Sequence, residues 1–266
     1  MSEFWSAALV FCLLLGSSGA AMVLRRFLPE RHRSADAIQL VQLVGTMLVT
    51  LAALVLGLLT TSVKTSFSTI ENDLRSVSIS IIQLDQRLRE YGAEADPARA
   101  LLKSYTASAI ATTWTSERPP AGDYYPRRVE MFPGSDLEST TLTGVLDRIE
   151  ATIRGLQPVD AVHRRLAADC LNRFERLEQQ RWKLLAEAHS SISNPFYAVL
   201  VFWLIIVFAS FGLSAPRSVL SFVTIGLGAL SIGSVLFVIL DLDTPFSGLF
   251  VVPSEPMRSA LAHLGG

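Results

Sequence analysis

Four long stretches without a charged residue constrain this fold more than any other feature of the sequence. A helix needs about 20 apolar residues to cross the hydrocarbon core of a bilayer, where every backbone polar group must be paired. The stretches that meet this requirement are 4–24, 37–63, 195–216 and 218–240. Because 50% of the 266 residues are also hydrophobic, the sequence predicts a multi-pass protein whose first partner is the lipid bilayer of the cell membrane.

The connections between the stretches predict two helical hairpins. The first stretch carries small residues at 17–21 that resemble a signal-peptide cleavage site, but its only early charge is Glu3, where a signal sequence has Lys or Arg. We therefore predict that it is retained as a span. The third and fourth stretches are separated by a short segment containing Pro216 and Arg217, which indicates a tight turn.

The segment between the hairpins, residues 64–194, is predicted to be soluble and helical, because it contains 17 Lys and Arg and 18 Asp and Glu. Its beginning continues the second span without Pro or Gly until Gly92. The spacing of its apolar residues alternates between three and four, which is a heptad pattern. The pattern predicts one helix from the second span to Tyr91. The heptad residues are Phe67, Ile70, Leu74, Val77, Ile81, Leu84, Leu88 and Tyr91.

Pro and Gly divide the rest of the segment into further helices. One is predicted to begin at Asp96 and Pro97, a loop rich in breakers follows at 118–135, and another helix covers 142–156. After Pro158, one side of the last helix is predicted to hold Val159, Val162, Leu166, Cys170, Phe174, Leu177, Leu184 and Ala188.

Together these patterns predict an all-α fold in which a soluble helical bundle is inserted between two transmembrane hairpins. The predicted domains are a first hairpin at 1–63, the insert at 64–194, a second hairpin at 195–240 and a C-terminal tail at 241–266. Basic residues near the span ends number five on one side and six on the other, so the positive-inside rule leaves the orientation open.

The sequence contains little that indicates catalysis or a cofactor. None of the four His residues has a partner at metal-ligand spacing, and Cys12 in the first span cannot pair with Cys170 in the insert. Phosphate-binding glycine loops and nucleophile elbows are absent from the sequence, and the net charge of −1 does not favour nucleic acid. We predict that the chain is not an enzyme and has no cofactor, bound metal or nucleic-acid partner.

A stripe of small and polar residues follows the second span at helical spacing. Such residues inside a bilayer either allow helices to approach closely or line a wet path. The stripe nearly aligns with the heptad pattern downstream, so we expect one face of this helix to contact protein along its whole length, as an oligomer contact or a pore wall. The stripe consists of Gln42, Thr46, Thr50, Ala53, Gly57 and Thr60, followed by Lys64.

Two further patterns occur in and after the fourth span. Gly226, Ala229 and Gly233 form a small-residue face that predicts close helix packing. Just beyond the span, Asp241 and Asp243 lie at a helix C-terminus, where negative charge opposes the helix dipole and needs a partner. A structural turn and an ion site are both compatible with this segment, although its spacing does not match an EF-hand loop.

Several motifs resemble those of the bacterial bestrophin-like domain family. The resemblance covers nearly the whole chain, and its most specific part is the segment Asp-Leu-Asp-Thr-Pro-Phe-Ser-Gly after the fourth span. The residues that carry the resemblance are 64–67, 84–88, 91–95, 202–203, 210–213, 215–217 and, in the closing motif, Asp241, Asp243, Pro245, Phe246 and Gly248.

The family is distantly similar to the bestrophins, which are pentameric anion channels with a cytosolic insert and a pore lined by the second span. The resemblance therefore implies a homo-oligomer that conducts small anions along the stripe from Gln42 to Thr60, with residues 64–194 in the cytosol. The chain departs from those channels because it lacks their acidic run for calcium, and the stripe has Thr and Gly where they have a phenylalanine neck. The alternative is a non-conducting membrane anchor whose insert binds another protein through Leu74, Ile81 and Leu88.

Overall fold

All regular structure in the described part of the chain is helical, as predicted. The computed structural model describes residues 2–27, 35–125, 140–188, 194–216 and 218–265. The predicted loop at 118–135 is therefore described only as far as Tyr125, and His32 and His189 lie outside the described residues. The helices are α1 (Ser2–Phe27), α2 (Ala35–Tyr91), α3 (Asp96–Thr113), α4 (Thr140–Arg154), α5 (Ala161–Ala188), α6 (Asn194–Ser214), α7 (Val219–Leu242) and α8 (Glu255–Leu264).

Four of these helices, α1, α2, α6 and α7, are long and apolar enough to cross a membrane, so each predicted span corresponds to a candidate membrane helix. The prediction that the second span continues as one helix is also confirmed, because α2 runs for 57 residues to Tyr91. Gly92 ends it with a φ of 113°, a conformation that favours glycine. A 3-10 turn at Ala93–Ala95 then leads directly into α3.

The chain divides into two compact units, and the division falls within α2. The first, called here the membrane unit, comprises Met1–Phe67 and Ser190–Val251. Its core includes the buried side chains of Leu14, Leu204 and Leu236. Within this unit, α1 packs extensively against α6 and α7. The arrangement of the spans as two hairpins stays a prediction.

Small residues allow these close approaches within the membrane unit. A Cβ at Gly212 of α6 would lie 2.2 Å from the Ser18 carbonyl oxygen of α1. On α7, Ala229 is fully buried, and a Cβ at Gly233 would lie 3.6 Å from the Cβ of Phe11. A Cβ at Gly226 would meet nothing within 4 Å. Two of the three residues in the predicted small-residue face of α7 therefore serve close packing, whereas Gly226 does not.

The second unit, called here the helical unit, comprises Ser68–His189 and Val252–Gly266. The heptad pattern of α2 forms its core, since every heptad residue from Ile70 to Tyr91 is buried. On α5, Cys170, Phe174, Leu177 and Leu184 are buried as predicted.

Two residues of the predicted α5 face are not in the core. Val159 is 83% exposed and Val162 is 64% exposed. Val159 precedes the first residue of α5, and Val162 lies in its first turn, about 80° from Cys170 at 100° per residue. The sequence pattern was therefore extended one turn too far.

Arg181 occupies the gap that the apolar spacing of α5 leaves between Leu177 and Leu184. Its side chain is buried, it donates from Nη2 to Thr143 Oγ1 at 3.3 Å, and its guanidinium lies 5.2 Å from the Trp182 ring centroid. Burial raises the pKa of the neighbouring Tyr105 hydroxyl, and the positive charge of Arg181 opposes that shift. A buried guanidinium requires such partners, because its desolvation is costly.

The C-terminal helix α8 was not predicted from the sequence, which was interpreted only as a tail. The indole nitrogen of Trp114 donates to the Val252 carbonyl at 2.7 Å. The Arg258 guanidinium lies 2.8 Å from Glu117, and the Ser254 hydroxyl also donates to that carboxylate. These contacts fix the segment against α3 and the chain that follows α3. The missed signal was Ser-Glu-Pro at 254–256, a common helix start.

Candidate functional site

The small polar stripe of α2 is open to the surroundings in the single chain. Thr60 is half-buried, and the other five predicted residues, Gln42, Thr46, Thr50, Ala53 and Gly57, are exposed. In the most apolar stretch of α2, only 17% of the residues are buried, against 22–33% in the corresponding stretches of the other three candidate spans. Among the four membrane-spanning candidates, α2 is therefore the helix least covered by its own chain.

A different face of α2 packs against the rest of the membrane unit. Gly45, Ala52, Leu59 and Val63 are buried, and steps of seven, seven and four residues place them on one side of the helix. At 100° per residue, the centre of this packed face lies about 100° from the centre of the polar stripe. Its heptad steps continue into Ile70 and the buried pattern downstream.

The expectation that the polar stripe itself continues into the heptad pattern was therefore wrong. One face of α2 does contact protein along the helix, but it is the face that begins at Gly45. The two four-residue steps from Gln42 to Thr50 turn the stripe forward around the helix, because four residues exceed one turn by about 40°. The polar stripe thus lies beside the packed face and is left uncovered by its own chain.

Gly45 sets the distance between α2 and α6. A Cβ at this position would lie 2.8 Å from Ser210 Oγ, which is too close without a shift of the serine. Ser210 itself donates to the Val207 carbonyl at 2.7 Å. This approach holds α2 against the unit through its packed face while the polar stripe faces outward.

The threonine hydroxyls of the stripe are satisfied within α2. Thr46 donates to the Gln42 carbonyl at 2.9 Å, Thr50 to the Thr46 carbonyl at 3.0 Å, and Thr60 to the Leu56 carbonyl at 2.8 Å. Each threonine therefore has its hydroxyl proton engaged, and only its methyl group and oxygen lone pairs are free for other contacts. Its hydroxyl can donate to a passing anion only if the hydrogen bond to the α2 carbonyl breaks. The result is an uncharged, weakly polar surface.

A cavity of about 760 Å³ adjoins the beginning of the stripe, between the start of α2, the end of α6 and the start of α7. Gln42 and Thr46 contribute to its wall from α2, and Ser210 and Ser214 from α6. Near its rim, Arg25 donates from Nη1 to the Ala215 carbonyl at 2.9 Å. Two of the predicted pore residues therefore line a space that also contains serine hydroxyls.

The closing motif forms a tight turn after α7. The Asp241 carboxylate is buried and accepts hydrogen bonds from the backbone N–H groups of Leu249 and Phe250 at 2.7–3.0 Å. Gly248 has a φ of 107°, and a Cβ there would lie 2.5 Å from Asp241 Oδ1. The partner that Asp241 was expected to need is thus the backbone of its own turn, which favours the structural alternative over an ion site at this residue.

The other motif residues lie around this turn. Pro245 is buried, whereas Asp243 and Phe246 are half-buried. The Thr244 hydroxyl donates to the Asp241 carbonyl at 3.1 Å, which tightens the first step of the turn. Within the part of the chain that the structure describes, no group of three or more His, Cys, Asp or Glu side chains has an arrangement that could hold a metal ion.

Comparison with known proteins identifies the family. A family model described as the bestrophin-like domain matches residues 11–257, which is nearly the entire chain. The chain belongs to the bestrophin-like family. No match was found among curated proteins. The resemblance noted in the sequence is thereby confirmed.

Solved structures of a bacterial bestrophin homologue from Klebsiella pneumoniae have the same fold as this bestrophin-like chain. One single-site variant of that homologue matches with a TM-score of 0.66 at 13% identity, covering 100% of this chain and 99% of the other. Two other variants match with TM-scores of 0.63 and 0.62 at 13% and 12% identity, each covering 97% of both chains. At these identities the likeness establishes the fold alone.

Sequence reasoning missed residues of the bestrophin-like chain that fix its candidate site. Gly45 and Gly212 were not singled out as contact residues, and Arg25 was considered only for its charge. A glycine in a membrane helix is a recognised sign of close approach, but the sequence does not indicate which helix is approached.

Proposed function

We propose that this bestrophin-like protein is an oligomeric channel that conducts small anions along the polar stripe of α2. The observation that carries the proposal is the exposure of this stripe beside a packed face. Although the threonine hydroxyls donate within α2, this stripe in hydrocarbon would leave the Gln42 amide and the threonine oxygen lone pairs in lipid, which is costly. In a ring of subunits, the same stripes would face one another around a central path.

The uncharged surface of the stripe bears on selectivity. The stripe is extended by a positive charge, because Lys64 lies four residues beyond Thr60 and is exposed. A positive charge at the end of a narrow path raises the local concentration of anions. We therefore propose that Lys64 favours anions over cations, while the threonine-lined path itself discriminates weakly among small anions.

We also propose the topology that the family resemblance implies. In this arrangement, residues 1–63 and 195–240 form two transmembrane hairpins in the cell membrane. Residues 64–194 form a cytosolic insert, and the tail at 241–266 begins on the same side. The charged composition of residues 64–194 and the uninterrupted course of α2 support an insert outside the bilayer that directly follows the second span, while the family resemblance supports the cytosolic side.

The alternative function is a membrane anchor that binds a partner through Leu74, Ile81 and Leu88, but these residues do not form an accessible surface. These side chains are 0–1% exposed and belong to the core of the helical unit. Making them polar would disrupt folding rather than a partner interface. This face is therefore not available to a partner, and the absence of catalysis stays a prediction.

The proposal is tested by recording from purified protein in planar bilayers, together with its oligomeric mass in detergent. We expect a ring-sized assembly, a chloride current, and a reversal potential that favours anions. Lys64→Glu should shift the reversal potential toward cations, whereas Arg75→Glu, on the helical unit, serves as the charge-matched control. A correctly assembled ring that passes no current would remove the proposal.

A further inference from the structure

Side-chain contacts join α2 to α5 in an antiparallel ladder within the helical unit. Two of these rungs bring two carboxyl groups to one cation, since Arg87 contacts both Asp169 and Glu90. The rung nearest the end of α5 is different, because each of its two carboxyl groups also has a buried oxygen without a partner in the described part of the chain. The rungs are Arg87 with Asp169 at 2.9 Å, Gln83 with Arg173 at 3.1 Å, Ser80 with Gln180 at 2.6 Å, and Asp73 with Lys183 at 2.9 Å, joined at the last rung by Glu187.

The geometry of this last rung leaves two oxygen atoms without a donor. Lys183 Nζ lies 2.9 Å from Asp73 Oδ1 and 3.8 Å from Glu187 Oε1. The remaining oxygens, Asp73 Oδ2 and Glu187 Oε2, are inaccessible to solvent and accept no hydrogen bond from the described part of the chain. The two carboxyl groups thus converge on the same ammonium, close enough for the negative charge of Asp73 to act on Glu187.

Two ionised carboxylates cannot satisfy each other, because each can only accept. Buried oxygens without a donor carry a desolvation penalty. Two negative charges that converge on one ammonium also repel each other. One proton removes both problems, since a carboxylic acid donates to a neighbouring carboxylate. Carboxyl pairs that share a site are known to bind a proton in this way.

We propose that Asp73 and Glu187 hold one proton between them, forming an acid–carboxylate hydrogen bond that fastens α2 to α5 at acidic pH and is lost when the proton leaves. The proton comes from solvent and adds to a Glu187 oxygen, while Asp73 stays ionised beside Lys183. The three groups then carry no net charge, whereas the deprotonated rung carries one negative charge. No other reactant is needed.

The local electrostatics agree with this geometry. Burial, the hydrogen bond to Asp73 and the charge of Asp73 raise the pKa of Glu187 above its ordinary value of 4.5, and Lys183 opposes them. Among the residues that the structure describes, the charged groups that act on Glu187 are Asp73 of α2 and Lys183 of α5. The nearby charges of α2, Glu71 and Arg75, pair with each other at 2.6 Å.

The sign of the pH dependence follows from linkage. Between pH 4.5 and the raised pKa, the folded protein binds more protons at Glu187 than the unfolded chain does. The rung therefore stabilises the helical unit most at acidic pH, and stability falls as the pH rises through this interval. This behaviour is a property of the helical unit, so it can be measured whether or not the protein conducts ions.

The direct test is infrared difference spectroscopy of the full-length protein in detergent, titrated from about pH 4 to about pH 8, a range that spans ordinary and raised carboxyl pKa values. We expect a carboxylic-acid carbonyl band that disappears at a pH above the ordinary range for glutamate. Because burial and the charges of Glu150 and Asp147 also raise the pKa of Glu178, all proteins are compared in a Glu178→Gln background. In that background the band should be missing in Glu187→Gln and shifted to lower pH in Asp73→Asn. It should be unchanged in Glu175→Gln, which alters an exposed glutamate of the same helix.

A second measurement protects the test against a variant that does not fold. In the wild-type protein, amide hydrogen exchange in the last turns of α5, corrected for the intrinsic pH dependence, should speed up several-fold when the band is lost. In Glu187→Gln, whose amide can donate to Asp73 at any pH, the corrected exchange should not change with pH. A band that survives in Glu187→Gln, or wild-type carboxyls that all titrate in the ordinary range, would overturn the proposal.

Discussion

Gly248 packs against the Asp241 carboxylate so closely that a Cβ at position 248 would lie 2.5 Å from Oδ1 and 2.9 Å from Cγ. The same glycine has a φ of 107°, so an L side chain would be strained there as well. We predict that Gly248→Ala destabilises the protein by about 1–3 kcal/mol, as expected for backbone strain at one residue. Thermal unfolding of the purified protein in detergent measures the effect.

Gly226→Ala is the matched control, because a Cβ at that position meets nothing within 4 Å. It lies inside α7, where alanine is the better helix former. We expect its midpoint to equal or exceed that of the wild type. Equal midpoints for both variants would show that the Asp241 turn does not require glycine.

The contact between α1 and α6 leads to a second prediction. A Cβ at Gly212 would lie 2.2 Å from the Ser18 carbonyl oxygen and 2.9 Å from its carbonyl carbon. Backbone atoms cannot rotate away, so Gly212→Ala must separate the two helices, with a cost of about 1–3 kcal/mol or more. The loss is measured as a lower unfolding midpoint in detergent. Gly16→Ala, which meets nothing within 4 Å, should leave the midpoint unchanged or raise it.

Glu117 gives a pH dependence of the opposite sign to that of Glu187. Hydrogen bonds from Ser254 and from Arg258 lower its pKa below 4.5, so the stability it contributes is present above pH 4.5 and is lost as the pH falls through the lowered value. The ion pair is partly open to solvent, since the side chain of Glu117 is 38% exposed and that of Arg258 is 32% exposed. Its contribution to the free energy of unfolding should therefore stay below about 1 kcal/mol.

We expect α8 to loosen on acidification through this window. Amide exchange across Glu255–Leu264, corrected for intrinsic rates, should therefore rise as the pH is lowered from about 6 to about 3. In Glu117→Gln the pH dependence should disappear. Exchange in α8 that is as slow at the lower pH as at the higher one would contradict this role of Glu117.

The proposed topology predicts that the insert and the C-terminal tail both lie on the cytosolic side. Fusions of a cytosol-active fluorescent reporter after the C-terminus, or inserted after Gly122, should be bright. Fusions of a phosphatase that needs the exterior should be inactive at the same points. The reverse pattern would place the helical unit outside and refute the cytosolic assignment.

The fold was predictable from the sequence where a pattern depends on one helix alone. Charge-free length determined the four spans, and the spacing from Ile70 to Tyr91 determined the continuous helix, because both reflect local burial. Features that depend on which helices meet were not predictable. The spacing of Leu177 and Leu184 suggested an apolar face, but it gave no sign that Arg181 lies between them, is buried and donates to Thr143.

The candidate site was predictable as a set of residues but not as a surface. The residues from Gln42 to Thr60 share a helix face by spacing alone. Whether that face packs or stays open depends on Gly45 and its contact with Ser210, which spacing does not reveal. The acidic motif shows the same limit, since the two backbone donors that satisfy Asp241 come from a turn whose path could not be read from residue types.

Single-cysteine scanning of α2 tests the central claim, conduction along the polar stripe, most directly. Burial raises the pKa of Cys170 to about 11, so its thiol stays unreactive toward the reagent. Cys12 is exposed and is replaced by serine, so that the introduced cysteine is the reactive one. Each variant is recorded in a planar bilayer before and after a charged thiol reagent is added. The scanned positions are Thr46, Thr50, Ala53 and Gly57 on the stripe, Ala52 and Leu59 on the packed face, and Leu54 and Leu58 on the exposed apolar side.

We predict that the reagent blocks or markedly reduces the chloride current at Thr46, Thr50, Ala53 and Gly57, and has little effect at the other four positions. Conduction without any block along the stripe, or block at Leu54 and Leu58 instead, would contradict the assignment of this face as the pore wall.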